Sequence, residues 1–281
     1  VRRLAHLSDI HFGALDAPVA EALVPYLLEI APDVLVVSGD LSMRARPWQF
    51  RQAMEWLGRF QCPRVVVPGN HDVPLLAIHE RATNPLGRYK RNVTSELSPI
   101  YEDDELAIFG ITTARAFVPL WSGFWKDGSI AAKDLAHIAA HLEKYASDRK
   151  RKVLATHHPF TQPPGKSANG VILGGKKALP TLAQLGVDVL LAGHLHACYH
   201  KILEVESDGA PYGLLSVQAS TATSHRRRHA PDGTEYPNGF NLLAFDGEAL
   251  SLEEHLHLGG NWRPGRRTKF RHSGAGWQIS P

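Results

Sequence analysis

The chain is poor in sulfur. Of its 281 residues only Cys62 and Cys198 are cysteines, far apart and without a metal or redox spacing. That excludes a disulfide framework and a thiolate zinc site, and a reducing, cytoplasmic setting is the expectation. No apolar run approaches the ~20 residues that span a bilayer. The opening VRRLAHLSDIHFG interrupts its apolar positions with charge from the start, which is no secretory leader. Neither sign of charge dominates: 31 basic against 28 acidic residues leave a formal +3, too little to imply a nucleic-acid partner by itself. No GxSxG elbow and no P-loop occur, so covalent serine chemistry and nucleotide-driven motor work lack support.

What is present is a 43% apolar chain of globular composition, near the upper size for one hydrophobic core. Leu4–Leu7 reads as a short strand and Pro18–Ile30 as a helix stopped by Ala31-Pro32. DVLVVSGD reads as a buried strand, Trp48–Phe60 as a helix, and Arg64–Val67 as the next strand. Strands alternating with helices predict an α/β architecture. Residues 73–128 are looser, around a strand at Leu106–Ile111. Ala131–Tyr145 is predicted helical, Lys152–Thr156 a strand, PPGKSANG a mobile loop, Leu179–Leu185 a helix, and DVLLAGHLH a strand with a polar exit. From Lys201 short strands follow at about 201–207, 212–219, 240–246 and 250–257. One domain over 1–258 is expected, then a basic C-terminal tail, 259–281, in which Arg263, Arg266, Arg267, Lys269 and Arg271 meet no acidic residue.

Five strand exits carry polar clusters: Asp9-Ile10-His11, Gly39-Asp40, Gly69-Asn70-His71-Asp72, His157-His158 and Gly193-His194-Leu195-His196. Strand exits on one side of an α/β sheet converge on a ligand crevice. Taken singly, each residue has a plain reading: Asp9 or Asp40 as a helix cap, Asn70 as a turn former, His157 as a satisfied buried histidine. Taken together they offer carboxylate, amide and imidazole donors without a thiolate, a set suited to Mn²⁺, Fe²⁺/Fe³⁺ or Zn²⁺. In extended chain, i and i+2 share a face, so Asp9 and His11 are expected to enter one site while Ile10 returns to the core, and His194 and His196 likewise.

In order, DIH, GDLS, GNHD, THHP and GHLH resemble the motif set of the calcineurin-like metallophosphoesterase superfamily, and within it the bacterial cyclic-nucleotide phosphodiesterase-like group. The resemblance implies a four-layer sandwich, two mixed β-sheets face to face with helices outside. It implies one metal held by Asp9, His11, Asp40 and His196 and another by Asp40, Asn70, His157 and His194, with Asp40 bridging. His71 corresponds to the family's non-ligand histidine that contacts phosphate and assists the leaving group. Asp72 is expected to orient His71, and His158 is not a ligand in the pattern. Two divalent ions about 3.5–4 Å apart neutralise ester oxygens and acidify water.

The substrate implied is a small phosphate ester, a cyclic nucleotide or related diester first. Arg44, Arg46, Arg226, Arg227 and Arg228 are rim candidates for its charge. The enzymatic alternative is a pyrophosphate hydrolase of the UDP-2,3-diacylglucosamine type. For it Phe117, Trp121, Phe124 and Trp125 would form an acyl surface; they read equally as core or as contact with a second copy in a homo-oligomer. A DNA-processing nuclease, with the basic tail on nucleic acid, and a non-catalytic binding scaffold are the remaining alternatives.

Overall fold

The computed structural model describes residues 1–117, 126–145, 149–163, 170–229 and 233–280. The chain runs β1 (Arg2–Leu7), α1 (Ala17–Ile30), β2 (Val34–Ser38), α2 (Pro47–Leu57) and β3 (Arg64–Val67), the expected strand–helix alternation. The looser region holds α3 (Ile78–Thr83), α4 (Gly87–Asn92), β4 (Ile100–Glu102) and β5 (Leu106–Gly110). Then come α5 (Ala132–Leu142), β6 (Arg151–Ala155), α6 (Gly175–Gln184), β7 (Val189–Ala192), β8 (Tyr199–Ser207) and β9 (Ala210–Gln218). The last four strands are β10 (Gly239–Asp246), β11 (Ala249–Leu258), β12 (Asn261–Ser273) and β13 (Gly276–Ile279).

Strand pairing gives two mixed sheets. One runs β3-β2-β1-β10-β11-β12, parallel through its first three strands and antiparallel after them. The other runs β9-β7-β6-β5-β4, with β8 antiparallel to β9. β13 pairs with β12 and touches β9 at Gly276–Gly213, joining the two. The side chains alternate as a sheet buried on both faces demands. Leu4, Val34, Val36, Val65, Ile108, Val153, Leu191, Val217, Leu243 and Leu252 fill the space between the sheets. Leu7, Leu35 and Val37 turn outward under Leu23 and Leu27 of α1 and Phe50 and Ala53 of α2. Phe109, Leu154 and Leu190 turn outward under Ile138 of α5 and Leu182 of α6. Helices, sheet, sheet, helices is the four-layer α/β sandwich.

The segment 259–281 is not the aperiodic tail expected. It forms β12 and β13, and two of its charges are answered across the ladder: Arg266 pairs with Glu254 at 2.6 Å and Arg267 with Glu253 at 2.7 Å. Only Trp262, Phe270 and Trp277 anchor it inward, too few apolar positions to print a period. The loop reading of PPGKSANG falls, from Pro164 to Asn169, outside the described residues, as do Trp121, Phe124 and Trp125. No described helix is long and apolar enough to cross a membrane.

Candidate metal centre

Every polar cluster lies just past the C-terminal end of its strand: β1, β2 and β3 from one sheet, β6 and β7 from the other. Backbone hydrogen bonds stitch these loops together. Asp9 N donates to the Gly39 carbonyl at 3.1 Å and His11 N to the Asp40 carbonyl at 2.9 Å. Thr221 Oγ1 donates to the Asp9 carbonyl at 2.6 Å and Thr223 Oγ1 to the Ile10 carbonyl at 2.9 Å. The chain after β9 is thereby strapped over the β1 loop, a role the sequence did not disclose.

Asp9, His11, Asp40, His194 and His196 all have positive φ, between 47° and 69°. This corrects the reading of Asp9/His11 and His194/His196 as alternate residues of extended chain. The pairs do converge, and Ile10 is fully buried, but through left-handed kinks that the loop-to-loop hydrogen bonds impose. Such conformations cost of order 1–3 kcal/mol each and persist where the surroundings over-determine them. The adjoining glycines leave the room: a Cβ on Gly193 would overlap Ser8 Oγ and Asp9 Oδ2.

The side chains form two donor sets that share one atom. In the first, His196 Nε2 lies 3.0 Å from Asp9 Oδ1 and 3.3 Å from His11 Nε2, and His11 Nε2 lies 3.6 Å from both Asp9 Oδ1 and Asp40 Oδ2. In the second, His157 Nε2 lies 3.4 Å from Asp40 Oδ2 and 3.0 Å from Asn70 Oδ1, which is 3.1 Å from His194 Nδ1. Donors each about 2.1 Å from one cation stand about 3.0–3.6 Å apart, for angles between about 90° and 120° at the ion. Asp40 Oδ2 belongs to both sets, while Asp40 Oδ1 accepts from His71 N at 2.8 Å.

The protons are placed to leave these lone pairs inward. His157 Nδ1–H donates to the Ser38 carbonyl at 2.8 Å and His196 Nδ1–H to the Arg226 carbonyl at 2.6 Å. In the neutral ring each Nε2 is then an unprotonated donor. Lone pairs thus face carboxylate and amide oxygens, and Asp9 Oδ1 is buried with no hydrogen-bond donor among the described residues. A cation between them resolves both conflicts, so the residues fit a metal pair.

Electrostatics agrees. Burial would raise Asp9, yet His196 and His11 hold it well below the usual carboxylate range. Asp40 is likewise lowered, against burial, by His157 and His71. Burial opposes charge on His157, but Asp40 wins and its pKa rises to about 9, so without a metal Nε2 takes up a proton, which a bound cation would replace. The field at this point favours positive charge.

His158 lies within 4.8 Å of the ring nitrogens of His157 and His194, but both of its own are engaged elsewhere. Its Nε2–H donates to the Lys126 carbonyl at 2.9 Å, and its Nδ1 takes the Thr113 hydroxyl at 2.8 Å. Burial, then the His157 charge, lowers it to about 3. It is a neutral prop beneath His194, 4.6 Å between ring centres.

His71 faces the mouth. Its Nδ1–H donates to the Met43 carbonyl at 3.0 Å, and its Nε2 lies 3.4 Å from Arg226 Nη1. Asp72, expected to orient that ring, does something else. Its carboxylate accepts from Leu41 N at 3.1 Å, Ser42 N and Ser42 Oγ at 2.8 Å, and Gly69 N at 2.9 Å. It clamps the β2 loop to the β3 loop because its short side chain points back under the turn; the Met43 carbonyl fixes His71.

The cleft over the donors has a volume of about 370 Å³ and is lined by His71, Lys126, His225 and Arg226–Arg228 besides the donors Asp40, Asn70, His194 and His196. Three of the five rim arginines are therefore in place. Arg44 and Arg46 are not: they line a neighbouring groove with Arg88, Leu75 and Leu76, because the loop after Ser42 turns away to start α2. Lys126 was missed, for want of any motif. Phe117, half-exposed, lies under Arg81, 5.6 Å from its ring centre, outside the cleft lining.

Comparison with known proteins agrees with this geometry. The family model for calcineurin-like phosphoesterases matches residues 2–198. A probable cyclic nucleotide phosphodiesterase of Synechococcus sp. is 32% identical over 209 residues, 70% of this chain and 74% of that one. A glycerophosphodiester phosphodiesterase of Enterobacter lignolyticus is 29% identical over 168 residues, 56% of this chain and 57% of the relative. Among solved structures, a dimetal phosphatase of Danio rerio superposes with a TM-score of 0.65 at 10% identity, covering 94% of this chain and 98% of that one. The family model spans more than half of the chain, and the chain belongs to the calcineurin-like phosphoesterase family.

Proposed function

We propose that the chain hydrolyses a small phosphodiester, a cyclic nucleotide or a diester of similar size, with two divalent cations as cofactor. Asp9, His11, Asp40 and His196 would hold one cation, and Asp40, Asn70, His157 and His194 the other. The observation that carries the reading is the sharing of Asp40 Oδ2 between two donor sets at coordination spacing. Oxygen and imidazole donors suit Mn²⁺ or Fe²⁺/Fe³⁺, with Zn²⁺ also accommodated. When bound, such a pair supplies Lewis-acid charge and lowers the pKa of water, the two things hydrolysis of an anionic ester lacks at neutral pH.

The chain's own residues do the rest. Arg226, Lys126 and their neighbours gather negative charge at the mouth and hold the ester oxygens. His71 has its Nδ1 committed to Met43, so Nε2 is the atom that meets substrate. Burial, against the pull of Asp40, lowers its pKa to about 4. The ring is therefore neutral in the free protein near pH 7, and the negative charge of an entering phosphate is what restores its proton for the leaving oxygen. A cleft of about 370 Å³ lined by charged and polar groups suits a nucleotide-sized diester better than an acylated lipid. Both curated relatives above are named as phosphodiesterases, and two free, separated cysteines fit a cytoplasmic setting.

The test is a panel of cyclic AMP, a glycerophosphodiester, bis(p-nitrophenyl) phosphate and p-nitrophenyl phosphate. It is run on metal-stripped protein restored with Mn²⁺, Fe²⁺ or Zn²⁺, beside Asp40→Ala. Diesters are expected to turn over faster than the monoester, and Asp40→Ala to lose both metals and activity. Monoester preference with every metal would overturn the diesterase reading. An active, metal-loaded Asp40→Ala protein would overturn the centre itself.

A further inference from the structure

A second cavity, of about 600 Å³, lies away from the metal cleft. Its lining includes Arg149, Lys150, Arg151, Lys152, Asp188 and His272. The first four precede and open β6, whereas His157 follows that strand. The two sites are thus separated by the length of a five-residue strand, about 17 Å.

Most charges here are already answered. Lys150 Nζ pairs with Glu102 at 2.6 Å. Asp188, 4% exposed, accepts from Lys152 N at 2.7 Å and Tyr212 OH at 3.1 Å, pairs with His272 Nε2 at 2.7 Å, and faces Arg151 Nη1 at 3.6 Å. Glu248, on the rim, pairs with Arg271 at 3.5 Å. Two cations are left over. Arg149 is exposed and has no carboxylate partner among the described residues. Lys152 is only 7% exposed, yet its ammonium has neither a hydrogen bond nor an ion pair among them. The ammonium stands beside Gly186, where a Cβ would come within 3.3 Å of Nζ, so the absent side chain keeps its approach open.

The stem of Lys152 is buried while its ammonium opens onto the cavity, and a concave site lined by cations without carboxylate partners favours a bound anion. The carboxylate within reach, Asp188, has its oxygens turned to other donors. We propose that this cavity is a second binding site, for a small oxyanion: a phosphate group, free or at the end of a nucleotide, held by Lys152 Nζ and Arg149. The volume falls within the range of small-molecule sites. Nothing in the hydrolytic centre requires it.

Calorimetric titration of the metal-loaded protein with sodium sulfate and with ADP tests this. Sulfate is expected to bind, and Lys152→Gln and Arg149→Gln each to weaken it tenfold or more, with bis(p-nitrophenyl) phosphate turnover unchanged. Arg149 is exposed, so its variant keeps the test valid if Lys152→Gln does not fold. ADP binding tighter than sulfate, and lost in the same variants, assigns the site to a nucleotide; sulfate alone showing the loss assigns it to free oxyanion. No binding of either probe, binding indifferent to both substitutions, or displacement by a slow-turnover diester would overturn the proposal.

Discussion

Gly69 offers a test that touches no metal donor. Its φ is −103°, so an alanine is conformationally acceptable there, and the objection to a side chain is one of space alone. A Cβ would overlap Asp40 Oδ1 and come within 2.5 Å of Asp40 N. Carbon contacts below 3.0 Å are not tolerated, so the Asp40 backbone must retreat by at least about half an ångström. Metal sites hold their ligand distances to about ±0.2 Å, and a misplacement of 1 Å costs about 10²-fold in rate. Gly69→Ala should therefore lower turnover tenfold to a hundredfold, about 1.4–2.7 kcal/mol. It should also weaken metal retention, since Asp40 Oδ2 serves both donor sets. Overpacking of this size costs about 1–3 kcal/mol of stability, which a thermal melt separates from loss of the site. The assay is metal content by mass spectrometry after exhaustive dialysis, beside diester turnover. Full occupancy of two metals per chain with undiminished turnover would refute the reasoning.

Two further outcomes are expected. His71→Ala should keep its metals and lose about 10²–10⁴-fold in rate, the more so the poorer the leaving group; equal losses across leaving groups of different acidity would contradict an acid role. His6 makes a pH prediction. Burial, against the Asp9 charge, lowers its pKa to about 3 from an unfolded value of about 6.5. Above pH 6.5 both states are neutral; as pH falls towards 3 the unfolded chain alone takes up the proton, so stability is lost on acidification. Between pH 6.5 and 5 this amounts to about 2 kcal/mol. Urea unfolding of His6→Asn should show a shallower acid loss by that amount, and identical slopes would contradict it.

The fold and the convergence of the polar clusters were legible for the same reason. Strands covered on both faces print continuous apolar runs such as Val34–Val37, and each run ended in residues with no other business at a strand exit. What the sequence hid lies in contacts between loops. The positive φ values of Asp9 and His194 arise from hydrogen bonds to chain 30 and more residues away, which no local pattern encodes. Asp72 looked like a partner for its neighbour His71, but its oxygens reach Leu41 and Ser42 across the turn. Arg44 and Arg46 followed a metal-binding motif in sequence yet are carried off by the start of α2. β12 escaped because Pro264 and Gly265 interrupt it, and because its pairing with β11 shifts register between Glu253 and His255.

The central claim is that one carboxylate oxygen serves two cations, and diffraction tests it directly. Crystals soaked in Mn²⁺ and measured at the manganese edge should show two anomalous peaks about 3.5–4 Å apart, flanking Asp40 Oδ2, one beside Asp9 and His196, the other beside Asn70 and His157. A single peak, or two that do not share Asp40, would contradict the account.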